Sequence, residues 1–288
     1  MAVKLIYTNA YGDSLEFSKE SAIRITDIDG LSANDISLSE STVTNQVGSS
    51  VTGASVQSKS MTIEGRYKYS PAIRKRLLAV VLPAVTATLR YINTVENIDV
   101  YWEGQPTKTP DISKNPIWQT FQFVMKLPYP YPRLTEAGMT AFSSFNSAFR
   151  FPQAYSSTKQ WKISSREVMP LQTINNRGDI DAGFTVEFKA LLDGIKAPKL
   201  LNVDTRESIA FSGLTLNSGD TLRVCTKPNQ REAVLIQNGV ESNVFEYMDY
   251  DSVFFLLARG ANNIRYSADT NESNLEVTMA FEETLAGV

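Results

Sequence analysis

The 288-residue sequence contains no histidine and a single cysteine. Histidine is the commonest general base and metal ligand, so its absence excludes Ser-His and Cys-His nucleophile pairs and removes the usual zinc donor. The one cysteine, Cys225, permits neither an internal disulfide nor a thiolate zinc cluster. Because Cys225 lies in an alternating apolar pattern, we expect a buried structural thiol rather than a reactive one.

Long apolar runs and an excess of basic residues are also missing. No run approaches the roughly 18 residues that cross a bilayer, so we expect no membrane insertion. The opening residues, MAVKLIYTNAYGD, have neither the apolar core nor the cleavage site of a signal peptide, which predicts assembly in a cytoplasm. A net charge of −3 and a pI of about 5.3 disfavour a protein that grips nucleic-acid phosphates through a basic surface.

Motifs that carry chemistry are absent from the sequence as well. The glycine-containing segment 47–53 lacks the lysine of a P-loop and precedes no predicted helix. Carboxylates occur in close pairs at predicted turn and edge positions, where such residues usually serve the turn itself. The pairs are Asp27/Asp29, Asp179/Asp181, Asp249/Asp251 and Glu282/Glu283. We therefore predict a protein that is not an enzyme and has no catalytic, cofactor-binding or metal-binding residues.

The tripeptide Arg177, Gly178 and Asp179 reads RGD, the sequence of an adhesion motif. It follows a run of polar residues and precedes further turn formers, so the pattern favours an ordinary polar turn over an adhesion site.

Strands dominate the predicted N-terminal half, because apolar and polar residues alternate with a period of two, as in Val3, Leu5 and Tyr7. Residues 43–60, in contrast, are mostly small and polar, with only four valines among them. Such a segment cannot bury enough apolar area to fold by itself. We interpret it as the tip of an extended hairpin or arm, with disorder in the free monomer as the alternative.

A single helix is predicted over residues 71–82. Ser70 can cap its N-terminus, Pro71 suits the first helical position, and Pro83 stops the run. We expect the helix face away from the apolar stripe to be solvated, with a subunit contact as the alternative. That face carries three basic residues, Arg74, Lys75 and Arg76.

The proline-rich segment LPYPYP, residues 127–132, marks the domain boundary, because three prolines exclude both a helix and a central strand. We predict an N-terminal domain over residues 1–135, a connecting segment over 136–154 and a C-terminal domain over 155–288. The C-terminal domain shows short alternating strands at regular spacing, one of them at 254–257, which is typical of a sandwich or jelly roll.

Aromatic residues in the C-terminal domain admit two interpretations. They can stack on sugar rings, or they can pack in the core, as aromatics usually do in β-sandwiches. The pattern favours core packing. The residues concerned are Tyr155, Trp161, Phe245, Tyr247 and Tyr250.

Several short motifs follow one another in order over the last 115 residues or so: INNRGD, LNVDT, SGDTL, FFLLARGANNIRYS and LAGV. Together with FRFP at 149–152 and the LPYPYP crossing, they resemble the distal tail protein family of long-tailed bacteriophages that infect Gram-positive hosts. LPYPYP is similar to the family's PDPY region, with tyrosine in place of aspartate.

This resemblance implies a mainly β structural protein. The N-terminal domain would be a ring-forming β-sandwich with one flanking helix, and the C-terminal domain a galectin-like jelly-roll sandwich. A ring, six-fold in the family, would join the tail tube to tail-tip and receptor-binding proteins at the virion tail tip and leave a channel for DNA without binding it specifically. Galectin-like describes the fold only, because a galectin's sugar site depends on histidine and this chain has none.

Alternatives remain open at this stage. The same hub could belong to a phage-tail-like bacteriocin assembled in its host's cytoplasm. A cell-surface carbohydrate-binding β-sandwich is a candidate from another class, and an esterase or glycosidase without recognisable motifs is a third.

Overall fold

The computed structural model describes residues 3–32, 34–42, 47–147 and 164–288, with the side chains of residues 137, 143–147 and 164–168 outside the description. The chain forms two compact units, one of Met1–Thr135 with Thr284–Val288 and one of Glu136–Glu283. Strands dominate both units, so the mainly β fold class is confirmed. FRFP, Tyr155 and Trp161 lie outside the described residues, and the predicted connecting segment 136–154 and domain start at 155 stay predictions.

Unit 1, the N-terminal unit, contains two sheets with the orders β2-β1-β7-β8 and β3-β6-β10-β9, which are joined where β10 pairs with the end of β8, and a separate pair, β4-β5. Its strands are β1 (Val3–Asn9), β2 (Ser14–Ser18), β3 (Ile23–Asp29), β4 (Ile36–Ser41), β5 (Ser50–Val56), β6 (Lys59–Lys68), β7 (Ala87–Asn93), β8 (Ile98–Pro106), β9 (Asp111–Ile112) and β10 (Trp118–Leu127).

Alternation along these strands builds the core of unit 1. Every second residue of β6, β7 and β10 is buried, and the residues between them face outward. The inward side chains of the two sheets, among them Tyr7, Phe17 and Phe123, belong to one hydrophobic cluster. Tyr7 stands edge-on to Phe123 with ring centroids 5.9 Å apart, and burial raises the pKa of the Tyr7 hydroxyl to about 12.

The helix α1 spans Pro71–Val80 and ends two residues before the predicted position. Leu82 precedes Pro83, and a residue before proline is disfavoured in helical conformation, so the helix stops early. Ser70 occupies the N-cap position but makes no side-chain hydrogen bond to the helix. Leu77 and Val80 are buried on the inner face.

The basic face of α1 is only partly solvated. Lys75 and Arg76 are exposed, whereas Arg74 is half-buried. Arg76 donates to the backbone carbonyl of Ser14 over 3.1 Å, which ties the helix to β2.

Unit 2 contains the sheets β24-β15-β20-β21-β22 and β14-β23-β17-β18 and the small pairs β12-β13 and β16-β19. The strand β11 (Arg133–Ala141) contains the division between the units. The remaining strands are β12 (Ser143–Ser147), β13 (Ser164–Val168), β14 (Leu171–Asn176), β15 (Phe184–Ala190), β16 (Ile195–Lys196), β17 (Lys199–Asn202), β18 (Ser208–Ala210), β19 (Thr215–Leu216), β20 (Thr221–Cys225), β21 (Glu232–Gln237), β22 (Val240–Asn243), β23 (Gly260–Ser267) and β24 (Leu275–Thr284).

One predicted strand of unit 2, at 254–257, is wrong. Phe255 and Leu257 are buried as expected, but the segment forms no ladder. Within the segment, Phe255 donates to the backbone carbonyl of Val253, and Leu257 exchanges backbone bonds with Ala182 in an isolated bridge. The apolar run therefore predicted burial of this segment correctly, but it did not predict its secondary structure.

Gly65, in the middle of β6, allows two neighbouring strands to approach closely. A Cβ at this position would lie 2.4 Å from the Phe121 ring and 2.6 Å from the Arg24 carbonyl oxygen. Gly53 in β5 offers a matched position, because its nearest atom, the Cβ of Ser39, is 3.9 Å away.

We expect Gly65→Ala to lower the free energy of unfolding of unit 1 by about 1–3 kcal/mol, since the added methyl group overpacks a rigid contact between aromatic ring and backbone. Chemical denaturation monitored by circular dichroism measures the effect. Gly53→Ala should be nearly neutral, and equal behaviour of the two variants would contradict the close approach at Gly65.

Candidate interaction site: the β4-β5 ribbon and its root

Strands β4 and β5 pair with each other and with no third strand among those described. Ile36 lies opposite Val56 and Leu38 opposite Ala54. Alternate residues of a strand share a face, so these four side chains lie together and are called here the apolar ribbon face. The other face carries small residues, Ser37, Ser39, Gly53 and Ser55.

The apolar ribbon face is open to solvent. Exposure reaches 58% for Ile36, 53% for Leu38 and 40% for Val56, and every residue of both strands is exposed. Three large apolar side chains on a two-stranded ribbon have no core to enter, and a ribbon of this kind is marginally stable alone. Covering each such side chain would contribute roughly 1.5–3 kcal/mol.

The ribbon carries few of the usual devices that block pairing of edge strands, and a register irregularity between Ser39 and Glu40 is one of them. Soluble proteins protect such edges with lysine, proline or inward charges. Between residues 36 and 57 the sequence has no lysine, arginine or proline, and its only charged residue is Glu40. Both the edges and the apolar face are therefore suited to contact another polypeptide.

Lys59, the first residue of β6, anchors the root of the ribbon. Its side chain is buried, and its Nζ donates to the backbone carbonyl of Leu31 over 2.8 Å and to Oδ1 of Asn34 over 3.4 Å. Burial lowers the pKa of Lys59, and the nearby Asp35 carboxylate partly offsets that effect. A buried ammonium is tolerated only when it is hydrogen-bonded, so these contacts fix the chain that enters β4.

Residues 285–288 complete the same root within unit 1. Asn34 donates through Nδ2 to the carbonyl of Ala286 over 2.7 Å, and the Ser32 hydroxyl donates to the carbonyl of Val288. Leu285 and Val288 pack against the hydrophobic cluster of this unit. The LAGV motif therefore belongs to the N-terminal unit, although it follows the last strand of unit 2 in sequence.

Sequence reasoning missed most of this site. It identified residues 43–60 as a hairpin tip or arm, of which 43–46 lie outside the described residues. It did not include Ile36 and Leu38, although their alternation with serines is the ordinary strand signal. No sequence pattern indicated that Asn34 would contact residues near the end of the chain.

Cys225 and two residues of the predicted acidic pairs, Asp249 and Glu282, lie in environments that are typical of structural residues. Cys225 is a buried free thiol, as predicted. The hydroxyl and the backbone N–H of Ser212 both donate to Asp249, which lowers the pKa of that carboxyl group. Glu282 forms an ion pair with Lys227 over 2.9 Å. These contacts agree with structural roles for the two acidic residues.

The RGD tripeptide lies in a turn organised by a buried neighbour, Asn176. The Nδ2 group of Asn176 donates to the carbonyls of Ile180 and Leu257, each over 3.0 Å, while its Oδ1 accepts from the N–H of Gly178. Asp179 lies 4.0 Å from the exposed guanidinium of Arg259. These hydrogen bonds of the Asn176 side chain hold the backbone of the tripeptide in the turn, which agrees with the predicted polar turn.

The predicted core packing of three aromatic residues is wrong. Phe245 is 39% exposed, Tyr247 40% and Tyr250 101%. Phe245–Tyr247 forms a 3₁₀ turn, and Tyr250 lies in the turn that follows, so none of them has the inward direction that a strand would give.

Within the described residues, no group of three or more acidic or cysteine side chains is arranged to hold a metal ion. No helix in that part of the chain is long and apolar enough to cross a membrane.

One family model matches the C-terminal part of the chain. Residues 177–284 match the family model described as siphovirus-type tail component, C-terminal domain. The resemblance drawn from the C-terminal motifs is thereby confirmed over that range. None of the curated proteins matches the sequence significantly.

Solved structures share the fold over the whole chain. The Dit protein of phage SPP1, described as a paradigm of the hub adsorption apparatus in phages infecting Gram-positive hosts, has a TM-score of 0.66 at 8% identity, covering 97% of this chain and 98% of that one. A chain of the phage P2 baseplate in its activated conformation with calcium has a TM-score of 0.55 at 12% identity, with both chains covered completely. The strontium form gives 0.55 at 11% identity with the same coverage.

We expect Asn34→Ala to loosen the ribbon root without unfolding unit 1, because it removes contacts to both Lys59 and Ala286. Each lost hydrogen bond should lower the free energy of local opening of the ribbon by about 0.5–1.5 kcal/mol. Loss of both bonds therefore corresponds to amide exchange in the ribbon strands that is roughly tenfold faster or more. Hydrogen-exchange mass spectrometry measures this change. Asn115→Ala serves as control, since Asn115 bonds only its own turn, and unchanged exchange in both variants would contradict the anchoring.

Proposed function

We propose that this chain is a structural component of a phage tail tip, a hub whose N-terminal unit closes into a ring of identical copies. The family match over residues 177–284 supports the tail assignment. The exposed apolar ribbon face is the observation that carries the ring, because it needs a partner that the monomer does not supply.

A ring follows from the kind of contact that the ribbon offers. The resemblance to the distal tail family favours a head-to-tail contact, in which the apolar ribbon face of one copy meets a different surface of the next copy. Head-to-tail contacts close into rings when the rotation fits, and closure leaves no ribbon uncovered. The copy number of six rests on the resemblance to the distal tail family.

The partners follow from the same assignment. The ring would bind the tail tube protein on one side and tail-tip and receptor-binding proteins on the other, and assembly in the host cytoplasm would place it at the virion tail tip. DNA would pass through the ring without specific binding, which agrees with the net charge of −3.

A division of labour between the units completes this proposal. Unit 1 would form the ring, and unit 2 would be a galectin-like sandwich that neither forms the ring nor catalyses a reaction. Its own hydrophobic cluster, which includes Phe184, Tyr266 and Phe281, supports independent folding of unit 2. The same architecture in a phage-tail-like bacteriocin would serve the same role.

Glycan contact by unit 2 is a second candidate function, favoured by the exposure of Phe245, Tyr247 and Tyr250. Exposed aromatic rings can stack on sugar rings. A cell-surface carbohydrate-binding protein would use these residues as a monomer, whereas the hub would assemble without them, so native mass spectrometry with and without cell-wall glycan separates the two.

We expect the double variant Ile36→Asn, Leu38→Asn to fold normally but to lose ring assembly. Removing two apolar contacts of roughly 1.5–3 kcal/mol each should weaken each subunit contact by about 100-fold or more. Light scattering after size exclusion, for the chain alone and mixed with its tail-tube partner, measures assembly.

The matched control is Ser37→Asn, Ser39→Asn, which places the same side chains on the other ribbon face. It should assemble as the unmodified chain does. Rings of unchanged stability from the Ile36→Asn, Leu38→Asn variant would refute the ribbon as the subunit contact.

A further inference from the structure

The outward face of the β3-β6-β10-β9 sheet carries two rows of like charges that run across the strands, besides the exposed charges of Lys68, Lys126 and Asp29. Arg24 and Arg66 lie directly opposite each other, and Asp27 and Glu64 form the next charged pair along the same strands. Asp111 extends the second pair, because it lies opposite Gln122, which lies opposite Glu64. We call these the basic row and the acidic row.

Both rows place like charges at cross-strand partner positions, which is unfavourable in an isolated sheet. Opposite charges at such positions stabilise a sheet and like charges destabilise it. A β-bulge creates the acidic pair: the register shifts between Ile25 and Asp27, so that Thr26 is unpaired and Asp27, rather than Thr26, lies opposite Glu64. Bulges commonly redirect side chains next to functional surfaces.

The rows form no ion pairs, although elsewhere this chain pairs its surface charges. Lys4 meets Glu16 over 2.8 Å between β1 and β2, and Arg223 meets Glu241 over 2.9 Å. No ion pair within 4.0 Å joins the residues of the two rows, all of which are described. Arg66 instead lies 5.7 Å from the ring centroid of Trp118.

Exposure leaves both rows available to a partner. Arg24, Arg66, Asp27 and Asp111 are exposed, and Glu64 is half-buried. Trp118 beside the basic row is 42% exposed, which adds an apolar side chain of the kind that anchors protein interfaces.

We propose that this face binds the same face of a second copy of this chain around a two-fold axis. An axis parallel to the rows and midway between them places Arg24 over Asp27 and Arg66 over Glu64 of the second copy. Each like-charge pair then faces a pair of opposite charge, and the contact is self-complementary, as a two-fold interface requires. The rows are two residues apart along the strand, about 7 Å, so one rotation aligns both.

This inference does not rest on the proposed ring, because the ribbon and the charged rows are different surfaces of unit 1. The ribbon-face variant should therefore leave the two-fold contact intact. Variants of the rows should leave the ribbon contact intact.

Two charge variants test the inference. Arg24→Glu, Arg66→Glu reverses the charge of the basic row, and Asp27→Lys, Glu64→Lys reverses the two acidic positions that would face it. Sedimentation velocity at about 50 mM salt, where surface charges are weakly screened, measures association. Each variant alone should associate by this face at least about tenfold more weakly than the unmodified chain, and an equimolar mixture of the two should restore association.

The control exchanges charges on the other sheet of the same unit, Lys4→Glu with Glu16→Lys, and should associate as the unmodified chain does. Restoration in the mixture supports the two-fold contact even if one variant is less stable. Equal association of all proteins, or a mixture that behaves as the sum of its two components, overturns it.

Glu64→Gln separates an interface role from a structural one. Relief of the like-charge pair should raise the thermal midpoint of the chain by about 1–4 °C while association weakens. A lower midpoint together with unchanged association would mean that Glu64 stabilises the sheet, which would contradict the inference.

Discussion

A two-stranded ribbon cannot bury its own side chains, and this constraint governs what the N-terminal unit can do. Every residue of β4 and β5 faces solvent, so the ribbon depends on its root for its position. The root is fixed by buried Lys59, by Asn34 and by residues 285–288. Because the last of these contacts comes from the far end of the sequence, the root is complete only after residue 288 has been synthesised.

Part of this fold was accessible from the sequence. Period-two alternation predicted the mainly β class, and proline chemistry located the start of the helix at Pro71. Both signals are local, since neighbouring residues determine them. The ordered C-terminal motifs also carried the family resemblance, which the match over residues 177–284 confirms.

Other features depend on contacts between distant residues, which no local pattern encodes. The segment 254–257 is buried without pairing as a strand, and Tyr250 is exposed although it is aromatic. The bulge at Thr26 brings Asp27 opposite Glu64, and only the observed register reveals this pair. The contact of Asn34 with Ala286 joins positions 252 residues apart.

Cryo-electron microscopy of the 288-residue chain, assembled alone or with its tail-tube partner, is the most direct test of the central claim. The account predicts a closed ring in which Ile36, Leu38 and Val56 of each copy are buried against the next copy. A chain that stays monomeric under both conditions, or a ring in which these side chains remain exposed to solvent, would contradict it.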